Sequence, residues 1–400
     1  MPILSVAAAY TAIQTQVPAL PPTRLALREL TGSVLAEDIC MERDQPPFDR
    51  VTMDGIALSS QTPNVNRRWR IAGTQAAGTP PLALQNPGDC IEVMTGAELP
   101  AGCDAVIPVE RIQIVDSHAQ VEAGMAIEAG MNVHRRGSDA RANSNLLHPG
   151  QRLTATEVAV LASAGYAQAQ VRRSPRIAVI STGDELVEPG LPIQTWQVRR
   201  SNTYALLAAL QQHGHTHLVD AHIADDLSVL RPQLQALLAA NDVLILSGGV
   251  SMGRFDFVPQ VLSELGVQCV FHKIAQRPGK PMWFGVRDDG KAVYALPGNP
   301  VSTLICLHRF VLPGLLRAMG MQEQPVTQIA LADACKAHDE LTLFVPVKLQ
   351  SDTQGFTRAM PCPTRGSGDF ISLLDTDGFV ELAPAQSMIA AGTVVPLFRW

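Results

Sequence analysis

The stretches 176–186, RIAVISTGDEL, and 242–256, DVLILSGGVSMGRFD, decide the fold of this 400-residue chain. In each, a continuous apolar run drops straight into serine, glycine and acid. A strand with one wet face alternates apolar and polar residues, whereas a run that is apolar throughout is covered on both faces. Helical patterns at 201–214 (SNTYALLAALQQHG), 227–240 (LSVLRPQLQALLAA), 257–266 (FVPQVLSELG) and 303–320 (TLICLHRFVLPGLLRAMG) alternate with the strand-like HLVDAHIA (217–224), QCVFHKIA (268–275) and AVYAL (292–296). This alternation predicts a parallel sheet with helices on both faces, a doubly wound α/β domain over 175–322.

The texture changes on either side. Residues 46–144 are rich in Gly, Pro and short β-like runs such as RRWRIAG and DAVIPVERIQIV, which predicts a β-rich domain. Its flanks, 1–45 and 145–174, mix helix and strand and are expected to form one N-terminal mixed or linker domain, interrupted by that insertion. Thr154 and Glu157 have the spacing of a helix capping box. From 323 to 400 short strands return (TQIALA, LFVPVKL, GFVELA, TVVPLF), as expected of a small β-barrel or a sandwich. The expected architecture is multidomain, α/β plus β-rich.

Composition narrows the function. With 46% hydrophobic residues the chain can bury a large core, and a net charge of −6 argues against bulk nucleic-acid binding. The seven cysteines show no CxxC or Cys/His spacing, so neither structural zinc nor a disulfide framework is expected. The first helix reads as amphipathic rather than as a signal peptide, and no stretch reads as a membrane span. A cytoplasmic protein is the expectation. His213, His215, His217 and His222 look metal-like, but two fall in a turn and two lie on opposite strand faces, so they read as surface and packing residues.

In open α/β sheets ligands bind beyond the carboxyl ends of the strands. The residues there are Thr182, Gly183, Asp184 and Glu185 after the first run, and Asp225 and Asp226 after the second. Ser247, Gly248, Gly249, Ser251 and Asp256 follow the third run, and Gly298, Asn299 and Ser302 follow the last. Lys273, Arg277 and Lys280 cluster around RPGKP. Carboxylates suit Mg²⁺, cations suit phosphate or another oxyanion, and glycine turns expose backbone donors. Each has a plain structural reading: a tight turn for the glycines, a helix N-cap for Asp226, a surface position for Lys280. There is no GxxxxGK[ST] loop and no GxGxxG fingerprint. Recurrence at successive strand ends points to metal-assisted chemistry on an oxyanionic small molecule.

PPFDRVTMDGIA (46–57), VMTGAELPAGCDAVIPVE (93–110), NVHRRGSD (132–139), ISTGDEL, SGGVSMGRFDFV, RPGKP and LPGNPVS (296–302) together resemble the molybdopterin molybdotransferase (MoeA) family, to which the gephyrin E domain is related. The resemblance spans nearly the whole chain. It implies insertion of molybdenum from molybdate into adenylylated molybdopterin, with Mg²⁺ assisting and AMP released. It further implies a third domain like the MogA adenylyltransferases, and a homodimer whose cleft uses two subunits. Cofactor-biosynthesis enzymes or apo-molybdoenzymes are the expected further partners. By motif, Asp54, Thr95, Glu185, Asp225, Asp256 and Lys280 fall on catalytic positions. Arg135, Asp139, Lys273, Arg277, Pro297 and Pro300 fall on binding positions, with Ser302 and Ser367 as further oxyanion contacts. Glu185, Asp225 and Asp256 would hold Mg²⁺ or position pterin and phosphate. Arg277 stands where many members have lysine, His134 where arginine is common, Arg254 in place of a frequent acid, Arg200 in place of a frequent aspartate, and Ile56 in place of a frequent tyrosine. These departures predict a more cationic cleft and bear on molybdate against tungstate. The alternatives are an adenylyltransferase or nucleotide pyrophosphatase of the same fold, and a non-catalytic scaffold.

Overall fold

The computed structural model of the protein describes residues 2–62, 64–249, 257–362, 364, 366–368 and 370–400. Ser251, Arg254 and Asp256 therefore lie outside the described residues. The chain forms two compact units. One comprises Met1–Glu37, Pro149–Thr154 and Ala169–Trp400, and the other Asp38–His148 with Ala155–Gln168.

The larger unit is built on a six-stranded sheet. In chain order its elements are β1 (Ile177–Thr182), α1 (Ser201–Gln212), β2 (Leu218–Ile223), α2 (Leu227–Ala240), β3 (Val243–Ser247), α3 (Val258–Glu264), β4 (Val267–His272), β5 (Trp283–Arg287), β6 (Ala292–Leu296), α4 (Pro300–Cys306) and α5 (Leu312–Ala318). The spatial order is β2-β1-β3-β6-β5-β4. The first four run parallel, in a register that pairs Thr182 with Ile223, Ser181 with Ser247, and Ser247 with Leu296. Their carboxyl ends are therefore level, and the described residues just after them share one edge.

The continuous apolar runs are explained by burial on both faces. Ile177, Val179, Val243 and Ile245 pack with Leu206 and Leu210 of α1 and with Val6, Ala9 and Ile13 of the N-terminal helix Val6–Gln16. Their neighbours Ala178, Ile180, Leu244 and Leu246 pack on the other side with Leu230, Leu234 and Leu238 of α2. Those three leucines recur every fourth residue, one helix face, and each contributes about 1.5–3 kcal/mol by burial. Asp226 starts α2 by accepting the Ser228 N–H at 2.7 Å, the N-cap role weighed for it.

Two expectations are corrected. The sheet is not parallel throughout, because β5 pairs antiparallel with both β6 and β4. The WFGVR segment is short, carries Gly285 and follows the RPGKP turn, so no periodicity marked it as a strand. Secondly, one stretch does meet the length and composition of a membrane span, the helical run Pro300–Ala318. It is 78% buried inside the protein and is the central helix of the α/β core. A π-helical turn at Leu307–Val311 interrupts it and brings the polar His308 and Arg309 into the interior.

The last strands, β7 (Gln328–Leu331), β8 (Thr342–Ser351), β9 (Thr357–Pro361), β10 (Gly378–Leu382) and β11 (Val394–Arg399), run in the order β8-β9-β7-β11-β10. Pairing of β10 back onto β8, from Leu343↔Leu382 to Val347↔Gly378, closes them into a barrel and rules out the sandwich. Arg309 joins this barrel to the α/β core. Its Nε donates to Glu381 at 2.6 Å while the guanidinium lies over the rings of Tyr10 and Phe398.

The smaller unit contains residues 46–144 and also the helix Ala155–Ser163. Its six-stranded sheet places Gly55–Leu58 between Asp89–Val93 and Ala105–Pro108, antiparallel to both.

Candidate functional site

Three adjoining cavities follow the level strand ends of the larger unit. The first, 330 Å³, is lined by Thr182, Glu185, Ser247, Gly248, Gly298 and Asn299, and by Pro300 at the start of α4. A second, 350 Å³, shares Thr182, Glu185, Gly248, Gly298 and Asn299 and adds Gly183, Asp225, Gly249 and Pro297. The third, 700 Å³, shares Pro297 and Asn299 and adds Arg277, Lys280, Ser302 and Ser367. The shared residues make one trough with carboxylates toward one end and cations toward the other.

The register explains the floor. Thr182 ends β1 beside Gly248, whose φ of +97° requires glycine. A Cβ on Gly248 would sit 3.0 Å from the Thr182 carbonyl oxygen, and one on Gly249 2.8 Å from Thr182 Oγ1. The glycines thus allow two strand ends to touch. Gly248→Ala is expected to cost about 1–3 kcal/mol, measured by urea unfolding, because both the left-handed φ and the contact resist a side chain. The expectation that this turn offers its backbone donors to a ligand is corrected at Gly248, whose N–H donates to the Leu296 carbonyl at 3.2 Å.

Glu185 is exposed and Asp225 half-buried. The Asp225 N–H donates to Asp184 at 3.3 Å, which ties the two acidic loops together. Thr182 is buried and its Oγ1 has no partner among the described residues. Two carboxylates and a hydroxyl are hard oxygen donors, the set that Mg²⁺ takes with waters completing its shell. Among the described residues no cluster of three His, Cys, Asp or Glu could hold a metal on its own. The donor set fits a water-rich Mg²⁺ shared with a phosphate, not a closed structural site.

At the other end, Ser302 is buried while Arg277 and Lys280 are exposed. Asn299 Nδ2 donates to Ser367 Oγ at 2.7 Å, which fixes that hydroxyl beside the cations. Lys273 belongs to the same turn, with its N–H on the Met282 carbonyl at 2.9 Å, but it does not line the three cavities.

Two residues outside the strand ends also matter. Asn202, in the first turn of α1, donates from Nδ2 to Ser247 Oγ at 2.9 Å and to the Gly298 carbonyl at 2.7 Å. It pins β3 to the turn after β6. The only available signal was its place where a helix begins at the same edge. Arg200 lines the cleft but does not make it more cationic, because its guanidinium bonds Ser181, Glu188 and Asp220.

The smaller unit holds the other candidates. Asp54 and Thr95 adjoin paired strand ends, Gly55↔Val93. Asp54 Oδ1 accepts the Thr95 N–H at 2.6 Å and its hydroxyl at 2.8 Å. The backbone bond first, then the hydroxyl, hold the Asp54 carboxyl below its usual range. Arg135 Nη1 donates to Asp49 at 2.6 Å, and Asp139 takes His134 Nε2 at 2.8 Å. His134 Nδ1 meets Arg50 Nη2 at 3.0 Å. Asp54, Thr95, Arg135 and Asp139 are thus hydrogen-bonded within the unit and exposed to solvent.

The chain matches three family descriptions: "MoeA N-terminal region (domain I and II)" over residues 4–165, "Probable molybdopterin binding domain" over 178–317, and "MoeA C-terminal region (domain IV)" over 328–400. It is 41% identical over 400 residues to the molybdopterin molybdenumtransferase of Synechocystis sp., covering 100% of both chains. To that of Synechococcus elongatus it is 34% identical over 409 residues, with 98% of each covered. A crystal structure of the molybdopterin biosynthesis MoeA protein from Pyrococcus horikoshii superimposes with a TM-score of 0.81 at 30% identity, over 100% of this chain and 99% of that one.

Proposed function

We propose, since this chain belongs to the MoeA family of molybdenum-cofactor biosynthesis, that it is a molybdopterin molybdenumtransferase: it inserts molybdenum from molybdate into adenylylated molybdopterin and releases AMP. The observation that carries the reading is the trough itself, with two carboxylates toward one end and two cations toward the other.

The division of labour follows from charge. Lys280 and Arg277 attract an oxyanion such as molybdate, and the hydroxyls of Ser302 and Ser367 offer it hydrogen bonds. Glu185 and Asp225 would hold Mg²⁺ together with waters and the adenylyl phosphate. The ion, when bound, supplies positive charge to the phosphate oxygens as AMP leaves. Thr182 Oγ1, Gly183 and Gly249 shape the floor between them. Asp54, Thr95, Arg135 and Asp139 are proposed as functional through their pre-set hydrogen bonds, and Asp256 through its motif.

A homodimer is part of the proposal, as is transfer of product to cofactor-biosynthesis or apo-molybdoenzyme partners. Cytoplasmic placement is supported by seven cysteines that are all free thiols. Light scattering of the purified protein checks the dimer. The reaction is tested with adenylylated molybdopterin, Mg²⁺ and molybdate, following AMP release and reconstitution of an apo-molybdoenzyme. Molybdate-dependent AMP release is expected, and its absence would refute the reading.

A further inference from the structure

Between β1 and α1 the chain leaves the sheet and returns through a short parallel ribbon, with Leu186 opposite Val198 and Val187 opposite Arg199. Its outer turn is exposed, including Leu191 and Trp196. Two adjacent arginines stand at its base. Arg199 Nη1 donates to the carbonyls of Glu188 at 2.9 Å and Leu191 at 2.7 Å, closing the loop on itself.

Arg200 makes longer-range ties. It is buried, at 8% exposure. Its Nε donates to Ser181 Oγ at 3.0 Å, Nη2 to Asp220 at 2.6 Å, and Nη1 to the Glu188 carboxylate. Glu188 also accepts the Tyr204 hydroxyl, and Ser181 Oγ meets His222 Nδ1 at 3.0 Å. One planar side chain therefore joins three segments: the end of β1, the loop that follows it, and the edge strand β2.

Stability alone is a poor reason for this arrangement. The guanidinium is buried at a desolvation cost, while Glu188 and Asp220 stay more than a third exposed, where ion pairs contribute little. What the triad supplies is fixed geometry, since the guanidinium fork dictates where each acceptor lies. The acceptor on the loop, Glu188, is three residues from Glu185, and both Arg200 and Glu185 line the 330 Å³ cavity. We propose that Arg200 is a positioning residue: by holding Glu188 against Ser181 at the end of β1, it sets the loop that carries Glu185 over the cleft. In its kinetic half this rests on the molybdenum-insertion reading.

Three variants separate placement from mere charge balance. Glu188→Gln cuts the loop tie. Arg200→Lys keeps the charge but cannot reach three acceptors. Asp220→Asn cuts only the tie to the edge strand. Two readouts are used: kcat and KM for Mg²⁺-dependent AMP release, and the initial rate of chymotrypsin cleavage after Trp196, located by mass spectrometry, which needs no substrate. Glu188→Gln and Arg200→Lys are expected to lower kcat by about tenfold or more, with little change in KM for molybdate. The same two variants should raise loop cleavage by about tenfold. Asp220→Asn should stay within about twofold of wild type in both. The proposal is overturned if Asp220→Asn matches Glu188→Gln, or if Glu188→Gln leaves both readouts at wild-type level. Should wild type itself release no AMP, the proposed reaction fails, while cleavage still decides whether Arg200 places the loop.

Discussion

Glu185→Gln and Asp225→Asn should each lower the rate of AMP release by about 100-fold or more while leaving the protein folded. Each substitution removes one negative charge and keeps the shape, so what is lost is attraction for the cation that neutralises the phosphate. Both residues line the same 350 Å³ cavity at the level strand ends, and neither lies in a hydrophobic cluster. The stability change is therefore expected within about 0.5 kcal/mol, as for surface substitutions away from packed features. Raising Mg²⁺ should recover part of the lost rate if the carboxylates hold the ion. Lys280→Met provides the contrast, raising KM for molybdate with no rescue by Mg²⁺. A variant that loses activity only in step with its melting temperature would remove Glu185 or Asp225 from the site.

The second large effect is on stability as the pH falls. His215 and His308 are buried, and burial first, then the neighbouring His213, pushes each down to about 4. Their packing explains why. Ser174 Oγ meets His215 Nδ1 at 2.8 Å, and the His308 ring lies edge-on to His213 and Trp400. In the unfolded chain both titrate near the usual 6.5, so the unfolded state takes up protons first. Their contribution is complete above about pH 6.5 and is lost as pH falls from there toward about 4. At pH 5 the loss is about 2 kcal/mol for each histidine relative to pH 7.5. Urea unfolding at the two pH values measures it. Replacing both with neutral residues, His215→Gln and His308→Gln, should flatten the dependence even if it lowers stability overall. An unchanged pH slope in the double variant would show that other groups control acid unfolding.

What could be read from the chain, and what could not, divides by the range of the interaction. RIAVIS and DVLILS announced buried strands because covering both faces leaves a local mark, an unbroken apolar run. The strand ends then located Glu185, Asp225 and Gly248 on one edge without any contact being known. β5 left no such mark, since a five-residue run with a central glycine has no resolvable period. A barrel was among the expectations for the last strands, but the choice between it and a sandwich was not local, because the closing pairs of β10 with β8 join residues more than thirty positions apart. Asn202 was missed because its role is to bond Ser247 and Gly298, both distant in sequence. Arg200 was noticed as an extra cation, but only its three acceptors show that the charge is spent internally. The apolar helix at 300–318 reads by composition like a membrane span, and only its burial identifies it as core.

The level register of β1, β3 and β6 also governs which length changes this protein tolerates. A residue added to a loop beyond Thr182, Ser247 or Leu296 adds chain to the rim and leaves the strands undisturbed. A residue added within one of those strands would raise that wall by about 3.3 Å and turn every later side chain to the opposite face. Insertions and deletions should therefore accumulate in the rim loops, altering which molecule is accepted, while strand lengths stay constant across chains that share this cleft.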